Sequence, residues 1–281
     1  MELAQSALED FVCSYFMFHA MSPEHPEDIM RHMPALLFVE SHIYAIDQAN
    51  EDHLLPTCSL DSTEQRAIAE APGEDPFWSL RALLRGRGWL TPRIEAEFAD
   101  GAHFWALERK LCKALMQRDE ACSDKVNFSR DEVETALRLK SFDYRVMNLL
   151  LYAMRHAPVE DAHLEFLAAS EVLVEVGDDL ADYEEDVERN SFNVYRCFLA
   201  LYGPENGARE LQTFIASAEA EYSSKLSCLD PALAALWRKR CQGAKRHGDG
   251  SERGPGGGHW VFPAPLDESA VQHAAHRLRT S

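Results

Sequence analysis

The stretch Gly177-Asp178-Asp179-Leu180-Ala181-Asp182-Tyr183-Glu184-Glu185-Asp186 decides how the chain is read. Asp178, Asp182 and Asp186 are four residues apart, so a helix stacks their carboxylates along one face. From Glu171 to Glu188 there are nine acids and no Lys or Arg. Each like-charge i,i+4 pair costs a few tenths of a kcal/mol, so an uncompensated ladder works against its own helix. The same stripe runs back through Val174 and Leu167, an apolar face expected to point inward. Carboxylates carried inward need a compensating cation, because an isolated buried charge is prohibitive. Hard divalent ions with oxygen ligands, Mg²⁺ above all with Mn²⁺ as its substitute, fit a donor set without Cys or His. The bland alternative is a solvated acidic face.

Outward from that stretch the pattern is helical nearly throughout. The spacing predicts helices over roughly 3–18, 34–53, 77–86, 92–119, 130–140, from 141 onward, 159–189, 192–202, 205–229 and 231–245. Hairpin turns and alternating strand patterns are missing, so the fold class expected is all-α. Residues 56–76 read as a connector. The organisation expected is a single helical, catalytic-type domain over 1–245 and a flexible Gly/Pro-rich segment over 246–265, within which Gly248 to Gly258 is loop-like by composition. A short C-terminal helix or a disordered tail follows over 266–281.

Composition narrows the function. The 281 residues are 46% apolar and carry a formal net charge of −19. No basic patch offsets that charge, which argues against nucleic acid or an anionic membrane surface as partner. Seven scattered cysteines without a CxxC predict reduced core thiols. No run approaches the ~18 apolar residues of a membrane span, and the N-terminus lacks a basic or secretory stretch. A cytoplasmic, soluble protein is the expectation. An acidic protein that handles an anionic substrate must first recruit cations.

A second acidic group, Asp47-Gln48-Ala49-Asn50-Glu51-Asp52, closes the helix that carries Leu36, Phe38, Val39, Ile43 and Tyr44. Asp47 and Glu51 are i and i+4, in line with Ile43, so they extend an apolar face. Taken alone, acids at a helix end are usually decoration.

Together the two groups resemble those of the class I terpenoid synthases, in which two facing helices each offer an acidic motif at the mouth of an apolar pocket. Residues 178–186 match the second, NSE/DTE-type motif at its first, second, fifth and ninth positions, although Asp182 stands where Ser or Thr is usual and Asp186 where Glu is usual. They read equally as DDxxDYxxD, similar to the second aspartate-rich motif of trans-isoprenyl diphosphate synthases. Asp47 and Glu51 fall on the first and fifth positions of the DDxx(D/E) motif, with Gln48 in place of its second Asp. The 131-residue interval from Asp47 to Asp178 suits the family layout. The resemblance covers about residues 5–245, and the part before Asp47 is short for the family, as though one helix were absent.

The resemblance implies a class I terpenoid-synthase-like bundle and a Mg²⁺-dependent lyase of isoprenoid biosynthesis, a terpene synthase that ionises a prenyl diphosphate to a terpene and inorganic diphosphate. It implies metal ligands at Asp47, Glu51, Asp178, Asp182 and Asp186, with Asp178 and Asp182 catalytic. Arg189 and Asn193 follow the motif where the family tends to carry a basic residue and an Asn, and are the expected diphosphate partners. The pyrophosphate-sensing Arg is assigned first to Arg145, whose place in the first turns of a helix also favours an anion, and second to Arg138. Trp237-Arg238-Lys239-Arg240 either caps the site or is a solvated helix end. Phe16, Phe38, Tyr44, Phe104, Trp105, Tyr152 and Phe192 are candidates to line a pocket shielding carbocations. A homodimer is compatible with the reading. Three rivals stand beside it. A prenyl-chain-elongating transferase of the same fold needs a second cation-rich diphosphate site, and only Arg31 precedes Asp47 in the near stretch. A non-catalytic helical regulatory protein would account for Gln48. A ferritin-like carboxylate metalloprotein is disfavoured because no ExxH motif occurs.

Overall fold

The computed structural model describes residues 2–22, 24–52, 75–121, 126–246 and 260–280. Most of the 56–76 connector and all of the 248–258 loop lie outside the described residues. Twelve α-helices follow one another among the described residues, with no strand: α1 Glu2–Tyr15, α2 Pro26–Asp52, α3 Trp78–Arg87, α4 Pro92–Ala121, α5 Arg130–Leu139, α6 Phe142–Met154, α7 Asp161–Ala181, α8 Tyr183–Arg189, α9 Val194–Tyr202, α10 Gly207–Cys228, α11 Pro231–Arg246 and α12 Glu268–Thr280. A 3₁₀ turn, Phe16–His19, extends α1.

Local chemistry sets the boundaries. Ser129 and Glu132 close a reciprocal capping box on α5. Thr91 Oγ1 accepts from the Ile94 N–H to start α4, and Asn193 Oδ1 accepts from the Arg196 N–H to start α9. Helix α2 begins eight residues before the expected Pro34. Pro26 occupies its first turn with Glu27 and Asp28 beside it, favourable for a proline and for the N-terminal dipole, and Pro34 sits inside the helix. The helix expected over 159–189 is interrupted at Asp182, which ends α7 and begins α8. Main-chain bonds Asp182 N–H to Asp178 O and Asp186 N–H to Asp182 O carry the coil across the break, at 2.8 and 2.9 Å.

Helix α6 lies between α2 and α7, with α4 against it, while α7 also packs on α5, α9 and α10. The buried faces form one core that includes Phe11, Phe16, Phe98, Phe166, Tyr195 and Phe198. At one end Trp237 of α11 stacks edge-on against Phe18 and Phe166 and donates to Tyr222 Oη at 2.8 Å. That places the Trp237–Arg240 segment on the α1 side of the bundle, where Arg240 pairs with Asp10.

The C-terminal segment is docked from Trp260 onward, earlier than the flexible reading to residue 265 expected. Trp260 Nε1 donates to Glu219, Tyr195 Oη to Pro263 O, and the Leu266 N–H to Tyr183 Oη. Helix α12 lies on α8, and its Glu268 accepts from the fully buried Arg196 at 2.6 Å. Five cysteines among the described residues, Cys13, Cys112, Cys197, Cys228 and Cys241, form no disulfide. No described helix is long and apolar enough to cross a membrane.

Candidate acidic site

The site is built where the corner between α5 and α6 meets α7. The corner delivers Lys140, Ser141, Asp143 and Arg145, and α7 meets it with Glu171, Glu175 and Asp179, four residues apart and therefore one face. Lys140 Nζ donates to Asp179 Oδ1 at 2.7 Å and to Glu175 Oε2 at 2.8 Å. Ser141 Oγ donates to the other oxygen of Glu175. Asp179, 1% exposed, also accepts from the Val194 N–H at 2.6 Å. Burial would lower the pKa of Lys140, but Asp179 and Glu175 hold it well above the ordinary lysine value.

Helix α2 supplies the opposite wall through Glu40, Tyr44 and Asp47, spaced i, i+4, i+7. Asp47 Oδ1 accepts from the Trp105 indole N–H at 2.6 Å. Next to it Asn50 donates to Glu108 at 2.6 Å and accepts from Arg109, tying the end of α2 to α4. Burial raises the Asp47 carboxyl, opposed by Trp105 and by the field of Lys140. Lys140 is therefore common to both walls, since it also acts on Asp178 and Asp186.

The expected residues fall in different surroundings. Leu167 is buried as expected, but Val174 is 42% exposed, so the stripe through Leu167, Val174 and Asp178 does not point inward along its length. The inward face is the one through Glu171, Glu175 and Asp179, one residue round the helix. Asp178 reaches solvent, yet protein surrounds it closely enough that burial, then Glu175, Asp179 and Asp182, lift its carboxyl to about 7 against Lys140. It therefore sits on the rim of the acidic group. Asp182 is exposed at the helix break. Asp186 is half-buried and accepts from Asn193 Nδ2 at 2.8 Å; burial and Asp179 lift it to about 7. Asn193, fully buried, thus holds the ninth position of the motif and caps α9 at once. Glu51 closes α2, and its side chain lies outside the described residues. Gln48 is exposed.

The basic candidates are engaged or peripheral. Arg145 is 8% exposed and donates to Glu97 at 2.9 Å, to Glu171 at 2.8 Å and to Leu139 O at 3.4 Å. Burial works against its charge, but Glu171 and Glu97 raise its pKa. An anion would contact Arg145 only by exchanging those carboxylates. Arg138 pairs with Glu221 at the surface. Arg189 pairs with Glu185, both more than half exposed. Among the aromatic candidates Phe38 is 50% exposed and stacks on His42, so it lines no interior. Tyr44 is half-buried beside the acids, Trp105 fixes Asp47, and Phe104 meets Phe192 edge-on at 6.2 Å.

Sequence reasoning missed Lys140, Glu40, Asp143 and the Glu171–Glu175–Asp179 face. The spacing of that last face was present, but it interleaves with Asp178–Asp182–Asp186 one residue away, and periodicity ranks both alike. Among the described residues no three His, Cys, Asp or Glu side chains are gathered as a ready-made metal site. No protein-family model, no curated protein and no solved structure matches the chain.

Proposed function

We propose that the chain is a Mg²⁺-dependent class I terpene synthase, which ionises a prenyl diphosphate to a terpene and inorganic diphosphate. One observation carries the reading. Asp47, Asp178, Asp182 and Asp186 border a group whose single lysine already serves Glu175 and Asp179, and burial with mutual repulsion holds Asp178 and Asp186 near 7. Carboxylates so placed gain most from an added cation, and an all-oxygen donor set suits Mg²⁺.

By charge and donor chemistry Asp47, Glu51, Asp178, Asp182 and Asp186 would hold the ion, although those among the described residues are not gathered as a ready-made site. Bound there, the ion would supply Lewis-acid neutralisation of the diphosphate. The chain does the rest. Trp105 fixes the orientation of Asp47, and Asn193 fixes Asp186, so two walls are held before any ligand arrives. Asp178 must give up its proton fraction when a cation binds, which makes binding weaken below pH 7. Arg189, whose exposed ion pair with Glu185 is weak, is the cation most available to the leaving diphosphate. Arg145 instead ties α4, α6 and α7 together.

A second reading, a non-catalytic helical protein of the same all-α class, draws on Lys140 as an internal counter-ion that lets the acids stand without metal. Thermal melting with Mg²⁺, with inorganic diphosphate and with both separates the two. The enzyme reading expects a rise with both ligands, about 3–4 kcal/mol at hundreds of times the dissociation constant, and diphosphate release from C10, C15 or C20 prenyl diphosphates. A flat melting temperature with no release favours the non-catalytic reading.

A further inference from the structure

We infer that Arg196 and Glu268 are positioning residues for the second acidic group. The C-terminal helix α12, docked through this buried pair, sets the turn that holds Asp186, so the group is complete only while the C-terminal segment is seated. The consequence for catalysis rests on the ionising reading above, whereas the coupling of α12 to Asp186 does not.

The contacts run without a gap from one to the other. Helix α8 carries Asp186 and ends at Asn190, whose left-handed backbone (φ 56°) lets the Ser191 N–H reach back to Asp186 O at 2.9 Å. Two residues on, Asn193 Nδ2 donates to Asp186 Oδ2 at 2.8 Å. Arg196 fixes this turn twice, through its own N–H on Asn193 Oδ1 at 3.0 Å and through Nη1 on Ser191 O at 3.2 Å. Its Nε donates to Glu268 Oε2 at 2.6 Å, so the turn is steadied by an acid 72 residues further along the chain.

Burial makes that acid decisive. Arg196 is 0% exposed, its Nη2 finds no acceptor, and Glu268 is the one carboxylate in an ion pair with it among the described residues. Burial works against the guanidinium charge, and Glu268 more than offsets it. A buried cation stripped of its counter-ion is strongly destabilised, so with α12 away Arg196 must turn toward water and release Ser191 O. Helix α8 cannot hold the turn unaided. Its 7 residues are too few for a helix stable by itself, and α12 is its most extensive neighbour among the described residues. Two further bonds seat the segment on α8: Gln272 Nε2 donates to Val187 O, and the Leu266 N–H to Tyr183 Oη, each at 3.2 Å. A third, Tyr195 Oη to Pro263 O at 2.9 Å, ties it to α9.

The test uses the full chain and the variants Glu268→Gln, Glu268→Asp and Tyr195→Phe. Tyr195→Phe loosens the segment without touching Arg196, and it carries the test if Glu268→Gln does not fold. Amide hydrogen exchange without ligand reads the coupling. In Glu268→Gln, exchange across 260–280 and across 183–193 is expected to quicken together by about 10-fold or more, as for loss of a charged hydrogen bond, with α6 unchanged. Tyr195→Phe should move both stretches in the same direction by less, and Glu268→Asp should recover part of the loss. The Mg²⁺ concentration for half-maximal diphosphate release from C10, C15 or C20 prenyl diphosphates reads the consequence, and is expected to rise about 10-fold in Glu268→Gln, as for loss of a group that orients a metal ligand. Faster exchange across 260–280 alone, or equally through α6, overturns the coupling. Faster exchange across 183–193 with an unchanged Mg²⁺ requirement overturns the positioning role and leaves the enzyme reading standing. Wild type that releases no diphosphate overturns the ionising reading, while the exchange result still decides the coupling.

Discussion

Replacing Lys140 by Met removes the charge at the centre of the site while keeping much of the side-chain length. The lysine makes two charged hydrogen bonds, at 2.7 Å to Asp179 and 2.8 Å to Glu175. Hydrogen bonds to charged groups contribute roughly 1.5–3 kcal/mol each, and breaking a buried pair by deleting one partner costs about 3–5 kcal/mol. Three features reduce the figure. Lys140 is 27% exposed, Asp179 keeps the Val194 N–H, and Glu175 keeps the hydrogen bond from Ser141 Oγ. The net is about 2–4 kcal/mol, which at ~2–4 °C per kcal/mol lowers the melting temperature by roughly 4–16 °C. The pH dependence gives a second check. Burial already raises the Asp179 carboxyl, and without the lysine it titrates higher still in the folded chain than in the unfolded one, so the folded state holds more protons and loses stability as pH rises. The gap to wild type should therefore widen from pH 5 to pH 8, and Asp179→Asn on the Lys140→Met background should close part of it. Scanning calorimetry of the two variants and wild type across that range reads all of this. A loss below about 2 °C, or a gap that narrows with rising pH, refutes the placement of Lys140 as the counter-ion.

Two further substitutions probe the rim and the packing beneath it. Asp178→Asn or Asp182→Asn should abolish Mg²⁺-dependent diphosphate release and leave the melting temperature equal or slightly higher, because a like-charge neighbour worth a few tenths of a kcal/mol is removed; a loss of cooperative melting would show that these acids serve folding instead. Because the Asp178 carboxyl is held near 7, wild type loses stability at this site as pH rises through 7, and Asp178→Asn should flatten that dependence. Gly101→Ala sets helix propensity against packing: alanine favours a helix interior by about 1 kcal/mol, but its Cβ would lie 2.5 Å from Cε2 of Phe142. Phe142 is pinned edge-on against Trp105 and Phe77, so a net loss of about 1–3 kcal/mol is expected on denaturant unfolding, and a stabilised variant would overturn that packing.

Helix by helix, most of the architecture was legible because its causes are local. Ser129 with Glu132, Thr91 before Pro92, and Asn193 are caps whose partners lie within a few residues, and they act wherever the helix is placed. The start of α2 was misjudged because Pro34 is as suitable for a first turn as Pro26, and only the packing of α2 along α1 and α6 favours the longer helix.

What the amino-acid sequence determined by itself was an all-helical chain with a concentration of acids near residues 171–188 and a second group at the end of α2. Which of those acids turn inward was decided by tertiary structure. Two ladders, Glu171–Glu175–Asp179 and Asp178–Asp182–Asp186, differ by one residue, about 100° round the helix, and both have regular i+4 spacing. The choice between them belongs to Lys140 and the Val194 N–H, which meet Asp179 from 39 and 15 residues away along the chain. Arg145 illustrates the same limit: a lone arginine in a first turn is suited to an anion, until the fold brings Glu97 and Glu171 to either side of it. Periodicity states which residues share a face, and the partners that neutralise a charge arrive from elsewhere in the chain.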